Sequence, residues 1–330
     1  MRITLSLACF VWLAFDSFAE NRGVTIDPKP MPKVAEDDLA PLLGEYHQSG
    51  YAEPLRLLWL SGPEDHGGGE HDYIRTQELF VPMLRTIPGV EVTTAFRFPS
   101  KRQFDEADVL VMYLHLPDLT EKQYDLFDGF VQRGGGVLTI HESCIMRPMD
   151  RAERLAEVIG CSWDGNANSH WGKFDQRFSV VLDTSHEVFQ GLPNRLSLRD
   201  ESYWDLLREP NVRVVGGIST AEPENPDDSL KALLDRGDAR PDAFWVYERG
   251  EGRVFGTTLG HFYYTFHDPK FRLLLVRGLG WISRRSPQPL MPIVTYGLGP
   301  ENGKYGLGPN ETMLDYKNRK EPLAKNAGNE

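Results

Sequence analysis

A chain of 330 residues, 40% hydrophobic and 25% charged, has the composition of ordinary globular material, which excludes a disordered or fibrous protein and leaves room for one large α/β domain. The formal net charge of -12 argues against nucleic acid and anionic membranes as partners, and favours a neutral or cationic small ligand. Three cysteines are too few for a disulfide scaffold, so a hydrophobic core must hold the fold.

The start of the chain reads as a secretory signal peptide over residues 1–19: Met1-Arg2-Ile3, an apolar stretch from Leu5 to Phe15, and the small-x-small end Ser17-Phe18-Ala19. Cleavage is expected near Ala19, giving a periplasmic or extracellular protein. Lipidation at Cys9 is a minor alternative. No later segment approaches the roughly 20 apolar residues of a membrane span. Cys144 and Cys161 remain after cleavage and could pair in an oxidising compartment. Residues 20–53, rich in Pro, Asp and Lys, read as an arm or linker.

The domain proper is expected over residues 54–283. Leu55 to Leu60 is an apolar run that reads as a buried strand, and Ser61-Gly62 ends it. The loop that follows, Asp65-His66-Gly67-Gly68-Gly69-Glu70-His71-Asp72, puts two imidazoles and three carboxylates on a glycine-rich backbone. Glycine lets such a loop turn sharply, and His with carboxylate can hold a divalent metal or move protons. A solvated polar loop is the plainer reading, set against the tendency of loops to carry function.

A helix is predicted from Tyr73 to Thr86, with Pro82 as a possible kink, then strands at Val90 to Phe96 and Asp108 to Tyr113. Thr120 caps a helix that runs to Gln132 and ends at Gly134-Gly135-Gly136. Val137 to Ile140 is a short strand that delivers His141-Glu142-Ser143-Cys144, and Asp150 to Ile159 is a helix stopped by Gly160. From Ser162 to Glu251 the pattern is less regular, with strands at Arg177 to Leu182, Val212 to Gly216 and Ala243 to Tyr247. Arg253 to Leu259 returns to a core strand ending in Gly260-His261. Asp268 and Pro269 open a last helix through Ile282. Residues 284–330 read as a Pro/Gly-rich tail with the near-repeat Tyr296-Gly-Leu-Gly-Pro-Glu and Tyr305-Gly-Leu-Gly-Pro-Asn.

Strand and helix alternate, so the expected fold is α/β, a doubly wound, mainly parallel, flavodoxin-like sheet with helices on both faces. In such a sheet the carboxyl ends of the strands share one edge, and ligands bind there. His66 and His71, Tyr113 and His115, His141, and His261 each follow a predicted strand. One such histidine is more often a packing residue, but several on one edge favour a site. Asn168-Ser169-His170-Trp171-Gly172 and Asp200-Glu201-Ser202-Tyr203-Trp204 add acid-base groups beside aromatics, which suits a sugar ring. For Trp171 and Trp204 taken singly, core packing is the default reading.

Four motifs in order carry a resemblance to a known family: Gly62-Pro-Glu-Asp-His-Gly-Gly-Gly-Glu-His71-Asp-Tyr, Gly134-Gly-Gly-Val-Leu-Thr-Ile-His141, Asp200-Glu-Ser-Tyr-Trp204 and Gly252-Arg-Val-Phe-Gly-Thr-Thr-Leu-Gly-His261. From about Arg56 to Ile282 the chain resembles ThuA-like (trehalose utilisation) proteins of the class I glutamine amidotransferase-like fold. The resemblance implies that His141 stands where the amidotransferases have their nucleophilic cysteine and that His261 matches their partner histidine. Amidotransferase activity is therefore not expected.

The resemblance implies a role in disaccharide or glycoside catabolism, and with the signal peptide the expected function is an exported enzyme that cleaves 3-keto-glycosides by acid-base, metal-assisted or not, elimination or hydrolysis. In that reading His141 or Glu201 is the base and His261 protonates the leaving oxygen. His66, His71 and His170 hold one divalent metal ion, and Tyr113, Glu142, Trp171 and Tyr203 bind the sugar. No nucleotide cofactor is indicated, the partner is a small carbohydrate, and oligomeric state is left open. The alternatives are a non-catalytic carbohydrate-binding or scaffold protein and a metal-dependent ester or amide hydrolase.

Overall fold

The computed structural model describes residues 42–43, 50–146, 151–165, 169–173, 178–219 and 241–295. The expected signal peptide, most of the arm, Asn168 and the Tyr-Gly-Leu-Gly-Pro repeat lie outside them.

The first half of the domain follows the predicted alternation. It runs β1 (Leu55–Ser61), α1 (Tyr73–Arg85), β2 (Val90–Phe96), α2 (Lys101–Glu106), β3 (Val109–Met112), α3 (Glu121–Gln132), β4 (Gly136–Ile140), a 3-10 turn (His141–Cys144) and α4 (Ala152–Ile159). Every residue of β3 and β4, and all of β1 except Arg56, is buried. This two-sided burial is what unbroken apolar runs signal in parallel sheets. Thr120 caps α3 with a reciprocal box to Gln123, and Gly160 ends α4 at φ 89. Pro82 sits inside α1 without ending it. The sequence reading missed α2. It is short and offers one buried residue, Phe104, but Ser100 and Gln103 form a capping box that was readable.

The second half is built differently: β5 (Cys161–Ser162), β6 (His170–Lys173), β7 (Phe178–Leu182), β8 (Arg195–Leu198), β9 (Glu201–Trp204), β10 (Leu207–Arg208), β11 (Arg213–Ser219), β12 (Asp242–Arg249) and β13 (Gly252–Thr257). A 3-10 turn (Tyr263–His267), α5 (Pro269–Ser283), another 3-10 turn (Gln288–Leu290) and α6 (Pro292–Thr295) follow. The main sheet has the order β2-β1-β3-β4-β13-β12-β11-β7-β8, with β9 joined to β12 and β6 to β9. Pairings from β2 through β13 are parallel, and those from β13 to β8 are antiparallel. The α/β class is borne out, with a parallel core extended by an antiparallel wing that strand-helix alternation did not reach.

On one face, Leu58, Leu60, Leu110, Met112 and Val254 pack with Phe104, Phe127, Phe130 and Leu155 from α2, α3 and α4. On the other, Trp59 stacks on Phe80 of α1 at 5.4 Å, and Phe244 and Phe255 meet Phe189 and Phe271. Packing continues past the boundary expected at residue 283: Leu290, Met291, Ile293 and Val294 are buried, and the Arg272 guanidinium donates to the Ile293 carbonyl at 3.1 Å. Cys144 and Cys161 are both buried and free.

The central strands leave no slack. Gly256 of β13 lies opposite Trp245 of β12, and a Cβ there would sit 2.0 Å from the fully buried indole. Gly256→Ala is expected to cost about 1–3 kcal/mol through overpacking, read as a lower denaturation midpoint in urea.

Candidate metal centre

The parallel register places the carboxyl ends of β1, β3, β4 and β13 side by side, and polar groups leave each. The glycine-rich loop after β1 is clamped to the turn after β13. His71 N–H donates to the His261 carbonyl at 2.9 Å, Tyr263 N–H to the Gly69 carbonyl at 2.9 Å, and Glu70 bridges Phe262. Asp200, fully buried just before β9, holds that turn from below. Its carboxylate accepts backbone N–H groups of Glu201, Gly260, His261 and Phe262 at 2.8, 2.6, 3.1 and 3.3 Å. Burial pushes the Asp200 carboxyl up to about 7, against these N–H groups, which favour its charge.

Three imidazoles meet at the centre. His71 Nε2 is 3.0 Å from His141 Nε2 and 2.9 Å from His261 Nδ1, which lies 3.2 Å from His141 Nε2. All three residues are buried. His71 and His141 both adopt φ 50, a left-handed backbone that costs a β-carbon energy and is tolerated where the surroundings demand it. His141 directly follows β4 and opens the 3-10 turn, so strand, strained residue and helical turn form an elbow that presents its side chain at the sheet edge.

The hydrogen bonds behind the rings set their tautomers. His141 Nδ1–H donates to the Thr258 carbonyl at 2.6 Å, and His71 Nδ1–H to Asp65 Oδ1 at 2.9 Å. Both Nε2 atoms then face each other as lone pairs, an arrangement that a cation between them would stabilise. His261 Nε2 is 3.7 Å from Glu70 Oε1, so it too has a carboxylate behind its inward nitrogen. Metal–nitrogen bonds of about 2.1 Å separate ligands by about 3.0 Å at right angles and about 3.4 Å at the tetrahedral angle, so this set fits one divalent ion. Imidazoles backed by carboxylate or carbonyl acceptors are the usual outer shell of such a site. Glu201 Oε1, at 3.5 and 3.6 Å from His261 and His141, is a fourth donor atom, an oxygen beside the three nitrogens.

Electrostatics agree with a neutral His141. Burial, then the neighbouring His71, holds His141 well below the ordinary histidine range. Burial works to raise the Asp65 carboxyl, but hydrogen bonds from His66 and His71 hold it well below the usual carboxylate range. Tyr203 stacks on His141 at 4.6 Å, its hydroxyl 2.8 Å from His141 Nε2 and donating to Glu142 Oε2 at 3.2 Å. Glu142 Oε1 in turn lies 2.7 Å from Nδ1 of the partly exposed His115.

The structure therefore brings together His71, His141, His261, Glu201, Tyr203 and Glu142. Others expected in the site fall elsewhere. His66 lies at the rim, its Nδ1 on Asp65 Oδ1 at 3.0 Å and its ring 3.8 Å from that of His71. His170 is not with the other imidazoles: it is exposed and faces Asp205 at 4.0 Å. The reason is register, since β6 places Trp171, not His170, opposite Tyr203, and strand neighbours point to opposite faces. Trp171 is 51% exposed. Tyr113 does not face a ligand space. It is fully buried and its hydroxyl donates to the Gly260 carbonyl at 2.6 Å, so it props the turn carrying His261. Sequence reasoning missed Asp65, Thr258 and Asp200 as positioning groups, although each stands within one of the quoted motifs.

Behind the turn, His267 is buried edge-on to the Tyr263 ring at 4.8 Å, and neither ring nitrogen has a hydrogen-bond partner among the described residues. Burial, then the charges of Arg272 and Arg75, keeps it well below the ordinary range. It is neutral when folded and protonates on unfolding below pH ~6.5, so it removes stability as pH falls through that value. Relative to His267→Phe, the wild type is expected to lose up to about 1.4 kcal/mol per pH unit below pH ~6, measured by denaturation at stepped pH.

A mixed α/β sheet with a parallel core, whose elbow faces a histidine at the end of a later strand, is similar to the class I glutamine amidotransferase-like arrangement that the motifs led us to expect. Within that class the chain belongs to the ThuA family: the family model described as trehalose utilisation matches residues 64–282. Among solved structures, a ThuA-like protein from Bacteroides uniformis ATCC 8492 is similar at 16% identity and TM-score 0.55, over 74% of this chain and 99% of that one. Another from Parabacteroides merdae ATCC 43184 is similar at 18% identity and TM-score 0.53, over 70% of this chain and 90% of that one. These likenesses concern the fold. No curated protein matches the chain.

Proposed function

We propose that this chain is an exported enzyme of glycoside catabolism that cleaves 3-keto-glycosides by elimination at a metal centre formed by His71, His141 and His261. The observation that carries the reading is the set of three inward nitrogens 2.9–3.2 Å apart, two of them with hydrogen-bond acceptors behind, with the Glu201 carboxylate alongside. Family membership supports a sugar substrate, and the exposed indole of Trp171 supports stacking of a sugar ring, because directly paired residues share a face and Tyr203 reaches His141. A divalent ion in this set would act as a Lewis acid on the keto oxygen.

The chain's own residues supply the proton chemistry. Glu201 takes the C2 proton, acidified by the neighbouring ketone, and the released electron pair forms the C1–C2 double bond as the C1–O bond breaks. The departing aglycone oxygen takes its proton from Tyr203, which is replenished through Glu142 and the solvent-facing His115. The products are an enone and the free aglycone. With His141 and His261 as ligands, the base and acid roles first considered for them pass to Glu201 and Tyr203.

Incubating the metal-loaded protein with 3-ketotrehalose tests this: aglycone release with a conjugated-enone ultraviolet band is expected. Three imidazoles also suit a hydrolase in which Glu201 deprotonates water. That second reading predicts aglycone release without the enone band. No release under either regime overturns both.

A further inference from the structure

A second site lies at the opposite edge of the sheet, where α5 ends against the segment after β7. Arg253, at the start of β13, lines a cavity of about 420 Å³ with Arg277, Arg284 and Arg285, and Glu187 is the one carboxylate in its wall. Glu187 is already engaged, accepting the Trp281 indole N–H at 2.6 Å and lying 3.5 Å from Arg253. Arg253 also reaches Glu248 at 3.0 Å. Arg277 and Arg284 have no carboxylate partner among the described residues, and Arg285 acts only at longer range on Asp108, which is already paired with Arg56.

They are held by backbone carbonyls instead. Arg277 donates to Val188 at 3.1 Å and to Gln190, Arg284 to Glu251, and Arg285 to Glu53 and to Pro54 at 3.0 Å. Carbonyl oxygens orient a guanidinium without neutralising it. Arg277 is half-buried, and burial alone lowers its proton affinity, which marks charge withdrawn from water with no counter-ion in place. On a chain of net charge -12, four arginines lining one cavity are a local reversal of sign.

We propose that this cavity binds a small oxyanion of the phosphate or sulfate class, free or carried as an ester on a small molecule. Guanidinium forks match tetrahedral oxyanions, each donating paired N–H bonds. The concave wall and the acidic remainder of the surface exclude a long polyanion, which would meet repulsion beyond the cavity. The inference is independent of the metal centre.

Calorimetric titration of the full chain at constant ionic strength tests it, with sulfate, inorganic phosphate and glucose 6-phosphate in separate arms. The expected result is saturable one-site binding in at least one arm, weakened at least about tenfold by Arg277→Gln and by Arg284→Gln. The tightest arm identifies the source of the anion. Arg284 is exposed, so its variant keeps the fold if Arg277→Gln does not. Heats that never saturate, or affinity unchanged in Arg284→Gln, would overturn the proposal.

Discussion

Replacing His141 by Ala is expected to remove the metal and the activity together. The purified protein, expressed without a histidine tag, should fall from about one equivalent of divalent metal to background by elemental mass spectrometry. Turnover of a keto-glycoside should fall by at least about 10³-fold, since the Lewis acid and its geometry go with the ring. Far-ultraviolet circular dichroism should not change, because the elbow backbone is held by β4 on one side and the 3-10 turn on the other. Alanine at φ 50 keeps the backbone strain without the ring, so lower stability accompanies the change. A folded His141→Ala protein that keeps both its metal and its rate would sink the assignment.

Glu201→Gln separates the carboxylate's chemistry from metal retention. The amide is nearly isosteric and the three nitrogens remain, so metal content should stay near one equivalent. As the general base, Glu201 should account for about 10²–10⁴-fold in kcat, with KM little altered. Parallel loss of metal in this variant would instead make Glu201 a ligand whose removal empties the centre. An unchanged kcat would return the base role to one of the histidines.

Much of this was legible in the sequence, for physical reasons that differ from element to element. Strands β1, β3 and β4 announced themselves as apolar runs because both their faces are buried, and Thr120, Gly160 and Asp268 marked helix ends through capping chemistry. The wing did not read as clearly. β8 and β9 have four residues each and β10 has two, too short for periodicity to speak.

At the site, His71, His141 and His261 were visible because each follows a strand and the parallel core aligns strand ends. What could not be read was which nitrogen faces which. His66 and His71 share one loop, yet only His71 turns inward, since its backbone is bonded to His261 across the sheet edge. His170 looked like a ligand by residue type, and the register of β6 against β9 turned it away. Tyr113 looked like a contact for substrate by position, and its burial under Gly260 made it a support.

The position of β13 has a consequence for how the chain is made. It is the last strand in sequence, yet it lies between β4 and β12. During synthesis β4 has an open edge until residues 252–257 emerge, and bare strand edges are templates for wrong pairing. Its insertion joins segments more than a hundred residues apart, a costly and slow contact to form. The same insertion carries His261 to the other two imidazoles. Sheet closure and assembly of the histidine triangle are thus one event, and a chain stopped short of β13 would lack the third imidazole and be prone to aggregate.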